Sequence, residues 1–181
     1  MRKIILDLAV SLDGFIEGPN GEIDWCNMDE DMDFEGFLST IDTIFYGRVS
    51  YDAWGNFHPD EKASETEKKL WKGVHSKKKY VFSSQSRQDD HATFISSKLE
   101  EKVTEIKNQP GQDIWLYGGA SLIKTFIQLG LIDYYSLAVH PIALGSGKPL
   151  FKDLKERLSL KLMEANINKS GVVQLIYIPK E

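Results

Sequence analysis

Short β-prone apolar runs alternate with stretches of helical spacing along most of the chain, and few folds accommodate that alternation. Residues 4–10 read as a first, buried strand, apolar apart from Asp7. Residues 43–46, 79–83, 92–95, 114–117 and 134–140 read as further strands. Between them, 29–40, 50–54, 64–71, 98–107 and 121–129 read as helices. Ser64 and Glu67 make a capping box at one helix start, and Gly130 serves as the C-cap of the last helix. Residues 158–165 and 172–178 read as an antiparallel hairpin turning at 168–171. Residues 11–25 form a long loop with turn chemistry, of a length that is usually functional inside a compact domain. Residues 141–149 form a second, glycine-rich loop. The pattern predicts the α/β class: a single domain over 1–181, with a mostly parallel central sheet and an antiparallel C-terminal hairpin.

A chain of 181 residues buries roughly 70% of the surface its unfolded form exposes, so it needs no disulfide staples. Cys26 is the only cysteine, which excludes an intramolecular bridge; a small semi-buried side chain is the expectation. The net charge of −5 provides no general attraction to nucleic acid or anionic lipid, though it allows a local basic pocket for one phosphorylated ligand. Asp7 interrupts the first apolar run too early for a signal-peptide core, and no run approaches the ~20 residues of a membrane helix. The cytoplasm is the expected compartment. His58, His75, His91 and His140 are scattered singly, which argues against a metal site.

Two strand-to-helix junctions carry the most chemistry. In Gly47-Arg48-Val49-Ser50-Tyr51 a strand ends at glycine, and the next turn offers a guanidinium and a hydroxyl at a helix start. Helix N-termini present unpaired N–H groups to anions, and arginine adds a bidentate fork. A turn glycine, a surface charge and an N-cap explain the same residues. In Tyr117-Gly118-Gly119-Ala120-Ser121-Leu122 paired glycines let a pyrophosphate approach the backbone, or simply make a tight turn. Both loops open at the carboxyl ends of strands expected to be parallel, where α/β folds bind ligands.

Other patterns fail. In Gly145-Ser146-Gly147-Lys148 the first glycine of a phosphate loop would fall on Ile142, and Pro149 stands where Ser or Thr is required. No Gly-x-Gly-x-x-Gly follows the first strand, and Gly119-Ala120-Ser121 lacks the second glycine of a nucleophile elbow.

With these motifs in order, the chain resembles dihydrofolate reductase and, more closely, the reductase domain of the bifunctional riboflavin-pathway deaminase–reductase. Ala9-Val10-Ser11-Leu12-Asp13-Gly14-Phe15-Ile16 resembles the first strand and mobile loop of that superfamily. Gly47-Arg48-Val49-Ser50 is similar to its phosphate-gripping motif, and Val81-Phe82-Ser83-Ser84-Gln85 to the strand end that holds the adenosine 2′-phosphate. Gly130 to Asp133 and Pro141 to Gly147 are similar to the late strand and loop of the riboflavin branch.

The resemblance implies a dihydrofolate-reductase-like fold, NADPH as cofactor, a small heterocyclic substrate and a homodimer. It assigns Gly47, Arg48 and Ser50 to phosphate near the adenosine ribose. Ser83, Ser84 and Gln85 would take the 2′-phosphate, and Gly118, Gly119, Ala120, Ser121 and Leu122 the pyrophosphate. The backbones of Ala9 and Ile16 would dock the nicotinamide carboxamide, and residues 17–25 would close over the reacting centre. Hydride transfer to a pyrimidine- or pterin-like substrate is the implied activity, 5-amino-6-(5-phosphoribosylamino)uracil reduction being the riboflavin-branch case.

By spacing back from Gly47, the substrate carboxylate of the folate enzyme falls on Asp31, which also fits plain compensation of a helix dipole. Val139 stands where that enzyme carries threonine, which argues against folate itself. Asp13 is a second candidate for substrate contact, and Asp13-Gly14 is equally an ordinary turn pair. A non-catalytic NADP(H)-binding protein, or an interaction module whose glycines only make turns, are the rival expectations.

Overall fold

A computed structural model describes residues 1–26 and 32–180. In chain order the strands are β1 (Ile4–Ser11), β2 (Phe15–Glu17), β3 (Ile41–Gly47), β4 (Lys78–Phe82), β5 (Thr93–Ile95), β6 (Asp113–Gly118), β7 (Tyr134–His140), β8 (Lys148–Pro149), β9 (Leu160–Ile167) and β10 (Val173–Pro179). The helices are α1 (Phe34–Thr40), α2 (Arg48–Ser50), α3 (Glu65–His75), α4 (Leu99–Lys107) and α5 (Ala120–Gln128). A π-helical turn, Tyr51–Gly55, continues α2. The chain divides into two compact units, Met1–Lys3 with Asp33–Leu122, and Ile4–Met32 with Ile123–Glu181.

In the first unit the strands run in the order β5-β4-β3-β6, all parallel. Parallel strands covered on both faces read as unbroken apolar runs, and Ile44, Phe45 and Tyr46 are fully buried in succession. Leu38 of α1 and Val74 of α3 pack with Ile41, Ile44, Tyr46, Val81 and Trp115 into one core. Each such side chain contributes roughly 1.5–3 kcal/mol when fully buried. Arg2, only 7% exposed, donates to Asp42, to the Thr43 hydroxyl at 2.6 Å and to the Gln112 carbonyl. Asp42 also accepts the Gln112 N–H at 2.8 Å, so a satisfied charge pair ties the chain start to β3 and β6.

In the second unit β1 pairs parallel with β7, while β10 runs antiparallel to both β7 and β9. Its core includes Ile4, Leu6, Ile123, Phe126, Tyr135 and Leu137. At the end of α5, Gly130 takes φ +63°, and the Leu131 N–H reaches the Phe126 carbonyl at 3.0 Å. The final hairpin turns where expected, with the Gly171 N–H on the Asn168 carbonyl at 3.0 Å.

The α/β class, the mostly parallel strands and the antiparallel C-terminal hairpin are as read from the sequence. The differences are local. Asp33 accepts the Gly36 N–H at 2.9 Å and so caps α1 at Phe34; residues 29–31 of the helix expected over 29–40 lie outside the described residues. Lys98 adopts φ 53° and stands outside α4. Each of the two long loops yields a short strand, β2 and β8, which pair with each other (Phe15 with Pro149, Glu17 with Lys148). Ladders this short have no period in sequence. No helix among the described residues is long and apolar enough to cross a membrane.

Candidate functional site

Three parallel strands of the first unit end at one edge. Gly47 is in register with Phe82 of β4, and Tyr46 with Gly118 of β6. The residues that follow, Arg48, Ser83 and Gly119, therefore leave adjacent strand ends, at the edge where α/β folds take ligands. The two glycine corners touch. A Cβ on Gly119 would lie 2.8 Å from the Ser50 hydroxyl oxygen, and one on Gly47 would lie 3.2 Å from the Gly119 nitrogen. The Gly118–Gly119 peptide is cis, and the Leu122 N–H closes the turn on the Gly119 carbonyl at 2.9 Å. The structure thus brings Gly47, Ser50, Gly118, Gly119 and Leu122 together, with Ala120 and Ser121 opening α5. Such a bare backbone corner, with the Ser50 hydroxyl beside it, is a concavity that can take an anion.

Arg48 is half-exposed and donates to Asp52 at 3.0 Å. The other oxygen of Asp52 takes Arg87 at 2.7 Å, and Arg87 also holds Asp89 at 2.9 Å. Asp89 in turn accepts from the Tyr51 hydroxyl at 2.8 Å. Arg87 lies over the Phe94 ring, 4.5 Å from its centroid. Burial raises the Asp89 carboxyl, but the His91 N–H, Tyr51 and Arg87 outweigh it and hold the carboxyl below the usual range. The reading of the sequence did not single out Arg87. It stands two residues beyond Gln85, and one of its partners, Asp52, comes from the turn after β3. Ser83 receives the Gln85 N–H at 3.0 Å, and Ser84 and Gln85 are exposed.

The second unit holds the remaining candidates. Ala9 and Ile16 are half-buried on β1 and β2. Asp13 acts as a clamp. Its carboxylate accepts from the Ser11 hydroxyl at 2.7 Å and from the N–H groups of Gly145 at 2.7 Å and Leu144 at 3.1 Å. The Ser11 bond first, then Gly145, hold this carboxyl below its ordinary value. Lys148 pairs with Glu17, and a Cβ on Gly147 would collide with the Glu17 carbonyl oxygen at 2.2 Å, so only glycine lets the two loops cross. Within residues 18–26, the Gly18 N–H meets the Glu22 carbonyl at 2.9 Å and the Cys26 N–H the Ile23 carbonyl at 3.0 Å. Trp25 packs edge-on to His140, ring centroids 5.4 Å apart. Burial, then Asp24, push the Cys26 thiol up to about 11, which leaves it unreactive near neutrality.

Asp31 lies outside the described residues. Asp7 is the acidic residue that sequence reasoning passed over, though a carboxylate in the middle of an apolar strand was itself the signal. Burial pushes its carboxyl up to about 6 against an opposing hydrogen bond from Ser136.

The Bacillus subtilis (strain 168) protein YyaP is 59% identical over 177 residues, 97% of this chain and 94% of its own length. A putative riboflavin biosynthesis protein from Shewanella sp. PV-4 superposes with a TM-score of 0.80 at 25% identity, covering 100% of both chains. The dihydrofolate reductase from Enterococcus faecalis, complexed with NADP(H), shares the fold at a TM-score of 0.65 and 14% identity, over 99% of this chain and 97% of that one. Residues 2–174 match the RibD C-terminal domain, and the chain belongs to that family.

Proposed function

We propose that the chain is an NADPH-dependent oxidoreductase that transfers hydride to a pyrimidine- or pterin-like substrate or its ribosyl derivative, with 5-amino-6-(5-phosphoribosylamino)uracil the first candidate. The observation that carries this reading is the register that pairs Gly47 with Phe82 and Tyr46 with Gly118, which sets a bare glycine corner beside Arg48 and Ser83. Membership of the RibD C-terminal domain family and the NADP(H) complex of the similarly folded Enterococcus reductase support it.

Arg48 and Ser50 would hold phosphate through charge-assisted hydrogen bonds, and Ser83, Ser84 and Gln85 would take the 2′-phosphate. Gly118, Gly119, Ala120, Ser121 and Leu122 would meet the pyrophosphate through backbone N–H groups. Ala9 and Ile16 would bond the nicotinamide carboxamide through their backbones. NADPH, when bound, supplies the hydride. The chain supplies alignment and excludes water. A cytoplasmic homodimer completes the reading: β9 ends the strand order of the second unit, and Leu162, Met163 and Ile167 on it are exposed. Sedimentation velocity reads that assembly, and a monomer at micromolar concentration refutes it.

The test is NADPH titration followed by tryptophan fluorescence, then NADPH oxidation with the ribosylaminouracil phosphate. Quenching with turnover supports the reductase. Quenching without turnover on this substrate, dihydrofolate or simple aldehydes favours a non-catalytic NADP(H)-binding protein. No quenching refutes both.

A further inference from the structure

Asp7 sits in the middle of β1, in register with Ser136 of β7. Side chains alternate along a strand, so Asp7 shares a side with Ala9 and Ser11, and Ser136 shares it with Tyr134 and His140. Among the described residues of these strands, Tyr134 and His140 are the other titratable groups on that side. On β10, Gln174 donates to the Ser136 hydroxyl oxygen at 3.1 Å. With Gln174 on its oxygen, Ser136 turns its own hydrogen to Asp7. One carboxyl oxygen is thereby held as an acceptor, and the acid proton belongs on the other.

A half-buried carboxyl placed here costs stability, because partial loss of water penalises its ionised form. Packing alone would favour an apolar residue, as at Ile5 and Ala9 on the same strand. Costly ionisable groups of this kind concentrate at functional sites. Asp7 also precedes Ala9 by one full pleat, about 6.6 Å along the strand. Ala9 is the residue that the reading above gives to the nicotinamide carboxamide.

We propose that Asp7 is the acid that delivers the proton in the reduction, an assignment that rests on the reductase reading. The substrate carbon of a C=N or C=O bond gains the hydride as NADPH is oxidised to NADP⁺. The substrate nitrogen or oxygen takes the proton from the Asp7 carboxyl as the π bond breaks. The carboxylate left behind regains its proton from water, while Ser136 and Gln174 hold it in place.

The experiment uses wild type and Asp7→Asn, with aspartate carboxyl carbons labelled by ¹³C. The Asp7 resonance is assigned by its loss in the variant. It is followed with pH, with and without the ribosylaminouracil phosphate and NADP⁺. The resonance is expected to titrate above the ordinary carboxylate range and to shift when the pyrimidine is added. Asp7→Asn is expected to lower kcat by about 100-fold or more. It should also abolish the fall of kcat above the Asp7 pKa, while NADPH affinity stays within about twofold, since the amide keeps size but cannot give a proton. Ser136→Ala should move the pH profile and lower kcat less than Asp7→Asn does. A resonance indifferent to the pyrimidine overturns the assignment. So does an Asp7→Asn enzyme that keeps the wild-type pH profile. A wild type that fails to bind NADPH overturns the reductase reading beneath it, whatever Asp7 does.

Discussion

The carboxylate of Asp13 accepts the backbone N–H of Gly145 at 2.7 Å, across 132 positions of sequence. One side chain thus joins the two loops that the sequence left separate. Asp13→Ala is expected to abolish the slow hydrogen exchange of the Leu144 and Gly145 amides and to open residues 141–149 to proteolysis. The Asp13 carboxyl is held below its ordinary value, so the clamp is at full strength above that value. It is lost as pH falls through the lowered one. Protection of these amides that survives in the variant at neutral pH would show that β2 and β8 hold the loops unaided.

Gly47 has a backbone any residue can adopt, φ −75° and ψ 151°. Its constraint is space, because the nearest atom to an added Cβ is the Gly119 backbone nitrogen. Gly47→Ala is expected to cost about 1–3 kcal/mol of stability by overpacking. It should weaken NADPH binding about tenfold, since 1.4 kcal/mol of misfit is enough for that. Thermal melts and fluorescence titration read the two effects. An alanine variant with wild-type affinity would remove this corner from the phosphate site.

In the proposed phosphate site, Arg48 would carry the electrostatic part. Loss of a charge-assisted hydrogen bond costs roughly 1.5–3 kcal/mol. Arg48→Ala should therefore weaken NADPH binding about 10- to 100-fold, and less so in high salt. Arg87→Ala removes the second partner of Asp52, so it tests whether the Asp52 bridge orients Arg48. An unchanged NADPH titration in Arg48→Ala would reduce Arg48 to a surface charge.

Asp7 gives a stability prediction of opposite sign to that for Asp13. Its folded pKa is raised from 3.8 to about 6, so the folded protein binds the extra proton. Stability is greatest below the unfolded value and declines as pH rises through about 6. Asp7→Asn should remove that decline and gain up to about 3 kcal/mol at pH 8, with little gain at pH 4. Denaturant melts at the two pH values measure the difference. Equal effects at both would show that the carboxyl ionises in the fold as it does in the unfolded chain.

The local elements were legible in the sequence because their causes are local. Apolar β-prone runs, the Ser64 cap, the Gly130 stop and the turn at 168–171 depend on neighbours a few residues away. Their order was enough to read an α/β chain with parallel strands. The glycine corners at Gly47 and Gly118 were legible too, as punctuation at strand ends. Tertiary structure alone decided what met across long separations. Register brought Gly47 beside Gly119 and set Ser136 against Asp7. Folding also carried Gly145 to Asp13 and Asp52 to Arg87. Hydrogen bonds and burial of this kind depend on which strands become neighbours, and no periodicity along the chain records that.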